Sequence, residues 1–482
     1  MKEHGDIRVL IGSMTGSEKR YFKLNGGKNG RKASTYFMDF FDAIDKGKEV
    51  TGKGNENHAV TARYLTESIL DCLDAYNAKN SIDANLDKQI RHGTVLHNKG
   101  LHQQALKTFL KAETIAKTQQ DFVRLQQIYW YMRMLLAIGT KHGRPELTME
   151  YVLEHNLAAV HETSLMARLR FVEYRFQRTS LNPNDASNEI LLGLKELINS
   201  DAMLEVDEHS GFFSQVTAEN LRSKCFDRCK DYKAGLKQGK KVFELCYSHR
   251  ELLQDRGRML IAGANNYMAR CFNAREFDEM KRVIDLLEKE TPKNDNVEIM
   301  RLETYFSSLL VYNNSTKQFN DKKLLPSIEK KMEKVGAKMN QAFLMLIYCH
   351  CSHYAFFQNN LSEALKWINL YLNHENRNAL KQNLPLAFDY RLIIYYEQNK
   401  FELLESLLRS KGEKNAQGNE FSKISKCLRN FLKNELKKET EQKENLRTLC
   451  DELLKLKATG TEKEDFDFFP FDEWVELKII PT

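Results

Sequence analysis

Residues 86–119 run LDKQIRHGTVLHNKGLHQQALKTFLKAETIAKTQ. The first half carries Gly93 and Leu96, Gly100 stands at a break, and the second half carries Ala105, Phe109 and Ala112. Residues three and four apart share one face of a helix, so the stretch reads as two amphipathic helices joined at a glycine turn. A small residue on each helix, Gly93 and Ala105, lets the two backbones approach closely. The large residues are left to fill the space between this hairpin and its neighbours.

A unit of about 34 residues with small and large residues in this order resembles the tetratricopeptide-repeat family. Weaker copies follow. Gly263–Leu287 carries Tyr267, Met268 and Cys271, then Phe277, Met280 and Ile284. Met345–Leu372 carries Ser352 and Ala355, then Leu361, Ala364, Ile368 and Tyr371. Phe388–Leu408 carries Leu392 and Tyr395, then Phe401, Leu404 and Leu408. Met280 and Leu404 stand where the family has a small alanine, which implies looser or differently angled hairpins. The resemblance implies an all-α fold, an α-solenoid of antiparallel helical hairpins over residues 86–455, with roughly eight to ten hairpins on the usual repeat length. Such hairpins bury their apolar faces only by stacking, and stacking leaves a concave surface lined by the first helix of each pair.

Composition agrees with helices. Seven prolines and 23 glycines in 482 residues are too few turn formers for many short strands. The 73 basic and 66 acidic residues give a net charge of +7, a mild excess that permits an acidic partner without requiring one. Nine cysteines, no secretory signal and no run of about 18 apolar residues point to a cytoplasmic protein with reduced thiols and no membrane partner.

Two segments flank the repeats. Residues 1–80 read as a helical N-terminal head of three helices. Thr15-Gly-Ser-Glu18 has the form of a capping box, followed by Tyr21, Phe22 and Leu24. A second helix spans Ser34 to Asp45, and a third runs near Val60–Tyr76. Residues 456–482 include DFDFFPFDEWVELKII (Asp465–Ile480) and read as a C-terminal cap, because Phe466, Phe468, Phe469, Phe471 and Trp474 are costly to leave in water, at about 1.5–3 kcal/mol each. The run SEKRYFKL (Ser17–Leu24), FFDAID (Phe40–Asp45) and the ending around Phe471–Ile480 resemble an uncharacterised group of bacterial helical-repeat proteins, which implies the same layout of head, array and cap.

Chemistry-bearing motifs are sparse. Cys349-His350-Cys351-Ser352-His353 holds metal-ligand types, but Cys349 and Cys351 point to different faces and no second pair completes a four-ligand site. Cys225 and Cys229 lack a third ligand, and His92, His97 and His102 are scattered around a helix and across a turn. No GxSxG, HExxH or GxxxxGK[ST] motif occurs. The loop Gly26–Lys32 lacks the preceding strand and the Lys-Ser/Thr pair of a phosphate cradle. The expectation is therefore no catalytic residues, no metal and no cofactor.

Binding residues are sought on the first helices, off the packing stripe. They are Arg91, Thr94, His97 and Asn98 in the first unit, Asn265, Asn266 and Asn273 in the second, His353 and Phe357 in the third, and Asp389, Tyr390 and Tyr396 in the fourth. Amides pair with peptide backbone and rings bury apolar side chains, so this set suits a protein or peptide ligand. The carboxylate-clamp members of the family place a Lys and an Asn on the first helix, and Ile90 and Thr94 occupy those places here. That departure argues against recognition of a free C-terminal carboxylate by this unit. The expected function is a cytoplasmic protein-protein interaction scaffold or adaptor. The alternative is a regulator whose head contacts nucleic acid through Lys19, Arg20, Lys23, Lys28, Arg31, Lys32 and Arg63 while the repeats sense a partner.

Overall fold

The computed structural model describes residues 5–25, 35–47, 58–77, 81–179, 188–292, 294–378, 383–410, 422–437, 442–459, 466 and 469–479. Among the described residues there is no strand, and no helix is long and apolar enough to cross a membrane. The chain divides into two compact units, residues 1–274 and 275–482. The division falls between residues 274 and 275, inside the stretch Gly263–Leu287, rather than after the head. All nine cysteines are free thiols.

The first unit opens with α1 (Gly5–Ser13), α2 (Gly16–Asn25), α3 (Thr35–Asp45) and α4 (His58–Asn77). Among the described residues the head has four helices where the sequence suggested three. The extra helix, α1, uses the Val9-Leu10-Ile11 run: Ile7 and Ile11 lie four apart and enter the head core together with Met14. The capping box forms as expected. The Thr15 N–H donates to Glu18 Oε2 at 2.8 Å, and the Glu18 N–H donates to Thr15 Oγ1 at 3.2 Å. Phe22, Phe40, Phe41, Leu65 and Ile69 complete that core.

There follow α5 (Ile82–Asn98), α6 (His102–Thr118), α7 (Phe122–Ala137), α8 (Met149–Thr179), α9 (Asn188–Ile198), α10 (Asp201–Leu204), α11 (Phe212–Arg228), α12 (Tyr232–Ser248) and α13 (Gly257–Ala274). Sequential neighbours pack as pairs: α5 on α6, α7 on α8, α11 on α12. In the first pair a Cβ at residue 93 would lie 2.7 Å from the Phe109 ring, so glycine is what lets Phe109 fill the hairpin centre. Gly100 takes φ +73° and closes α5, its N–H donating to the His97 carbonyl at 2.9 Å.

Later turns reach the same geometry with other residues. Gln120 and Lys230 adopt left-handed backbone, φ 49° and 60°. The next residue in each case caps the following helix: Asp121 accepts from the Arg124 N–H at 3.0 Å, and Asp231 from the Ala234 N–H at 3.1 Å. The α11–α12 pair, which the sequence reading passed over, has Ser223 and Gly235 at its close approach. The Ser223 hydroxyl donates to the Gly235 carbonyl at 2.9 Å.

The second unit comprises α14 (Phe277–Lys289), α15 (Asp295–Ser315), α16 (Leu324–Val335), α17 (Gln341–Phe357), α18 (Leu361–Asn373), α19 (Leu384–Glu397), α20 (Phe401–Ser410), α21 (Lys423–Lys437), α22 (Gln442–Thr459) and α23 (Phe471–Ile479). Helix α17 packs on α18, α19 on α20, and α21 on α22. The α17–α18 pair repeats the serine device: the Ser352 hydroxyl donates to the Ala364 carbonyl at 2.6 Å. One continuous core runs from Ile299 to Val475 and includes Trp367, Tyr371, Leu392, Leu428 and Leu449. Helix α23 packs on α22, and Phe466, Phe469, Phe471, Trp474 and Val475 are part of this core.

Candidate functional site

The first helices α17, α19 and α21 of the second unit meet a peptide-like occupant, and it belongs to the same chain. Phe469 inserts its ring 3.9 Å from that of Tyr390, 5.0 Å from that of His353 and 5.8 Å, edge-on, from that of Phe356. Phe469 and Phe471 are fully buried. One turn further on, Trp474 packs edge-on against Tyr396 and Phe431, and its indole N–H donates to Glu397 Oε1 at 2.8 Å. Charges fix the register. Lys478 Nζ donates to Glu397 Oε2 at 2.6 Å, Lys317 lies 3.3 Å from Glu473, and Lys457 pairs with Asp472.

This corrects four of the proposed groove residues. His353, Asp389, Tyr390 and Tyr396 are buried and do not form open surface. The reason differs in each case. Phe469 covers His353 and Tyr390, and the Tyr390 hydroxyl donates to the Ser352 carbonyl at 3.0 Å. Asp389, 1% exposed, forms an ion pair with Arg429 at 2.7 Å and accepts from the Ser425 hydroxyl. The Tyr396 hydroxyl donates to Glu435 at 3.0 Å and accepts from Gln442 at 2.7 Å. Tyr396 also borders a cavity of about 580 Å³ with Glu397, Phe401, Glu435 and Lys478, whose two carboxylates are already engaged. Phe357 remains half-buried, stacked on Phe319 at 5.2 Å.

The cysteine–histidine run is part of the core. Cys349, His350, Cys351 and His353 are all buried. Burial pushes both thiols up and both imidazoles down, His350 to about 4 and His353 further, with His350 adding to the effect on His353. Neither ring nitrogen of His353 has a hydrogen-bond partner among the described residues. Among the described residues no group of three or more His, Cys, Asp or Glu is placed to hold a metal ion.

Neutral burial of His350 and His353 makes stability depend on pH. A histidine free in the unfolded chain titrates near 6.5, and these two titrate lower in the fold. Their contribution is fully present well above pH 6.5 and is lost as pH falls below 6.5, toward about 4 for His350. We expect thermal melts between pH 7.5 and 5 to show a loss of about 1.4 kcal/mol per pH unit for each histidine within that window. His350→Gln and His353→Phe should flatten the dependence. A melting temperature that is level over this range would contradict neutral burial.

In the first unit Arg91 and Asn98 are exposed, and Thr94 is half-buried with its hydroxyl donating to the Ile90 carbonyl at 3.0 Å. His97 lies between the rings of His102 and Tyr131, both at 5.7 Å. Asn265 and Asn266 are half-buried. Asn273 donates to Asp227 at 2.8 Å, beside the Arg270–Asp227 ion pair at 2.9 Å, which ties it to α11. Arg91, His97 and Asn98 fall together on the last two turns of α5.

The head's cations divide. Lys19 pairs with Asp45 at 2.6 Å and Lys23 with Asp42 at 2.7 Å, so two of them tie α2 to α3. Arg20 and Arg63 are exposed, with Arg63 5.1 Å above the Tyr64 ring. Lys28, Arg31 and Lys32 lie outside the described residues.

Nothing in the sequence singles out Lys317, Glu397, Ser425, Arg429 and Glu435, polar residues that hold described helices of the second unit together. Each looks like ordinary helix surface in the sequence, and no local spacing signals its partner. No protein-family model matches the chain, and neither curated proteins nor solved structures yield a match.

Proposed function

We propose that the chain is a protein-binding scaffold, in which tetratricopeptide-like hairpins stack into an α-solenoid and the first-helix side takes a peptide or protein segment. The observation that carries this reading is the way α17, α19 and α21 hold residues 469–478. Rings of Phe469 and Trp474 sit among aromatic side chains, and the flanking charges of Glu473 and Lys478 meet Lys317 and Glu397. Buried ring anchors framed by ion pairs are the means by which repeat surfaces and other peptide sites bind. In residues 275–482 that side is filled by the chain's own segment. The reading therefore assigns the external partner to the first unit, where Arg91 and Asn98 are exposed and Asn265 and Asn266 half-buried. Nothing in this role calls for catalysis or a cofactor.

The test is affinity capture with the full chain after nuclease treatment, comparing wild type with an Arg91→Ala/Asn98→Ala/Asn265→Ala/Asn266→Ala variant at matched folded concentration. Wild type should retain a stoichiometric protein. The variant should bind it at least about tenfold more weakly, a change of about 1.4 kcal/mol, with little change in melting temperature. Equal retention by both would exclude this surface, and loss of capture on nuclease treatment would favour nucleic acid as the ligand.

A further inference from the structure

Helix α8 faces its own core through Val152, Ala159, Leu165, Leu169 and Val172. On the opposite side runs a second series: Leu153, Leu157, Val160, Ser164, Ala167, Phe171 and Tyr174, spaced alternately four and three apart. All seven are exposed, with Leu157 at 68%, Phe171 at 61% and Tyr174 at 54%. Single exposed apolar residues are ordinary on a protein surface, but a continuous stripe marks a contact. Alternation of four and three is the seam of a coiled coil. At 1.5 Å per residue the stripe runs about 32 Å along the helix.

We propose that α8 is a homodimer interface, pairing antiparallel with α8 of a second copy about a twofold axis near Ser164 and Ala167. Two features of the stripe select this occupant. The first is its size order. Antiparallel pairing sets Ser164 against the partner's Ala167, Val160 against the partner's Phe171 and Leu157 against the partner's Tyr174. Small residues meet at the axis, where the helices approach most closely, and each bulky ring faces an aliphatic side chain. A twofold interface must be complementary to itself in this way.

The second feature is charge. The N-terminal half of α8 carries exposed Glu150 and Glu154, while Glu162 faces its own chain and accepts from the Gly211 N–H and the Ser214 hydroxyl; the C-terminal half carries Arg168, Arg170, Arg175 and Arg178 against Glu173. Antiparallel pairing lays the acidic half on the basic half and brings Glu154 beside the partner's Arg175. Parallel pairing would instead set Arg170 beside the partner's Arg175 and Phe171 on the partner's Phe171. His161 and Arg168, which flank the axis, share Glu205 of their own chain, at 3.5 and 2.6 Å, so the Arg168 charge is offset there. The dimer does not depend on the peptide-binding role and adds a second kind of contact to the molecule.

The experiment is sedimentation velocity on the full chain over a concentration series, with melting curves in parallel. Wild type should sediment as a dimer. Leu157→Glu/Phe171→Glu should sediment as a monomer, with dimerisation weakened more than about a hundredfold, since twofold symmetry counts each substitution twice. Both residues point away from the core, so the melting profile of the monomer should persist. Arg175→Glu should weaken the dimer about tenfold, and Glu154→Arg/Arg175→Glu should restore it, because the pair is only exchanged. These two variants alter exposed charges alone and keep the test open if the glutamates at 157 and 171 impair folding. A wild-type monomer at every concentration overturns the proposal, whatever else docks on the stripe. So does a dimer that survives Leu157→Glu/Phe171→Glu, and failure of the exchanged pair to restore association overturns the antiparallel alignment.

Discussion

Ending the chain at residue 459 is expected to unfold residues 275–459 at temperatures the full chain withstands. The segment removed contains Phe466, Phe469, Phe471, Trp474 and Val475, all buried in the core of the second unit. Burial of one such side chain is worth about 1.5–3 kcal/mol, and a whole domain is stable by only about 5–15 kcal/mol. Truncation would also leave Glu397 without Trp474 and Lys478, and would bare the rings of His353, Phe356 and Tyr390. The shortened chain should bind a hydrophobic dye, aggregate on warming and lose its cooperative melt. Trp474→Ala is the milder form, costing about 3–5 kcal/mol. A synthetic peptide of residues 460–482 added in trans should restore a cooperative melt to the shortened chain, at a temperature that rises with the logarithm of peptide concentration, since a ligand stabilises the state it binds. A shortened chain that melts cooperatively at the full-length temperature would show that the segment only lies on the surface.

The aromatic segment also shows where sequence reading succeeds and where it stops. Five ring-bearing residues within ten positions announce burial, because no solvated segment tolerates them cheaply. Their receptors, Tyr390, His353 and Glu397, are announced by nothing, since contact between distant positions leaves no local period. The repeat pattern was legible in the same uneven way. Gly93, Gly100 and Ala105 stand out because a missing or minimal side chain has few uses. The turns at Gln120 and Lys230 hide, because there an ordinary residue takes the left-handed backbone and a following aspartate caps the next helix. For the candidate groove, helical spacing identifies which side of α17 and α19 faces away from the neighbouring hairpins. It does not say whether solvent or another stretch of chain lies there. Arg91 and Asn98 met solvent; His353 and Tyr390 met Phe469.

Asp389 carries that difference into energetics. A solvated groove aspartate could be changed to alanine with almost no effect on stability, whereas the buried Asp389 is expected to resist it strongly. Its carboxylate is 2.7 Å from Arg429, itself buried on α21, and the guanidinium lies 6.0 Å from the Phe388 ring. Asp389→Ala takes the carboxylate at 2.7 Å away from a buried guanidinium, at a cost of about 3–5 kcal/mol. For a unit of this size that lowers the melting temperature by about 2–4 °C per kcal/mol, so by roughly 6–20 °C. Arg429→Met should do similar harm by taking the guanidinium away from a carboxylate that is 1% exposed. The double variant Asp389→Leu/Arg429→Met removes both desolvation penalties and fills the space with apolar atoms, so it should recover most of the loss. That non-additivity is what separates a buried pair from two independent surface charges, whose single changes are small and simply add. Melting curves of the three variants decide it: if Asp389→Ala melts within a degree or two of wild type, the side chain faces water and the surface of α19 is open to a ligand after all.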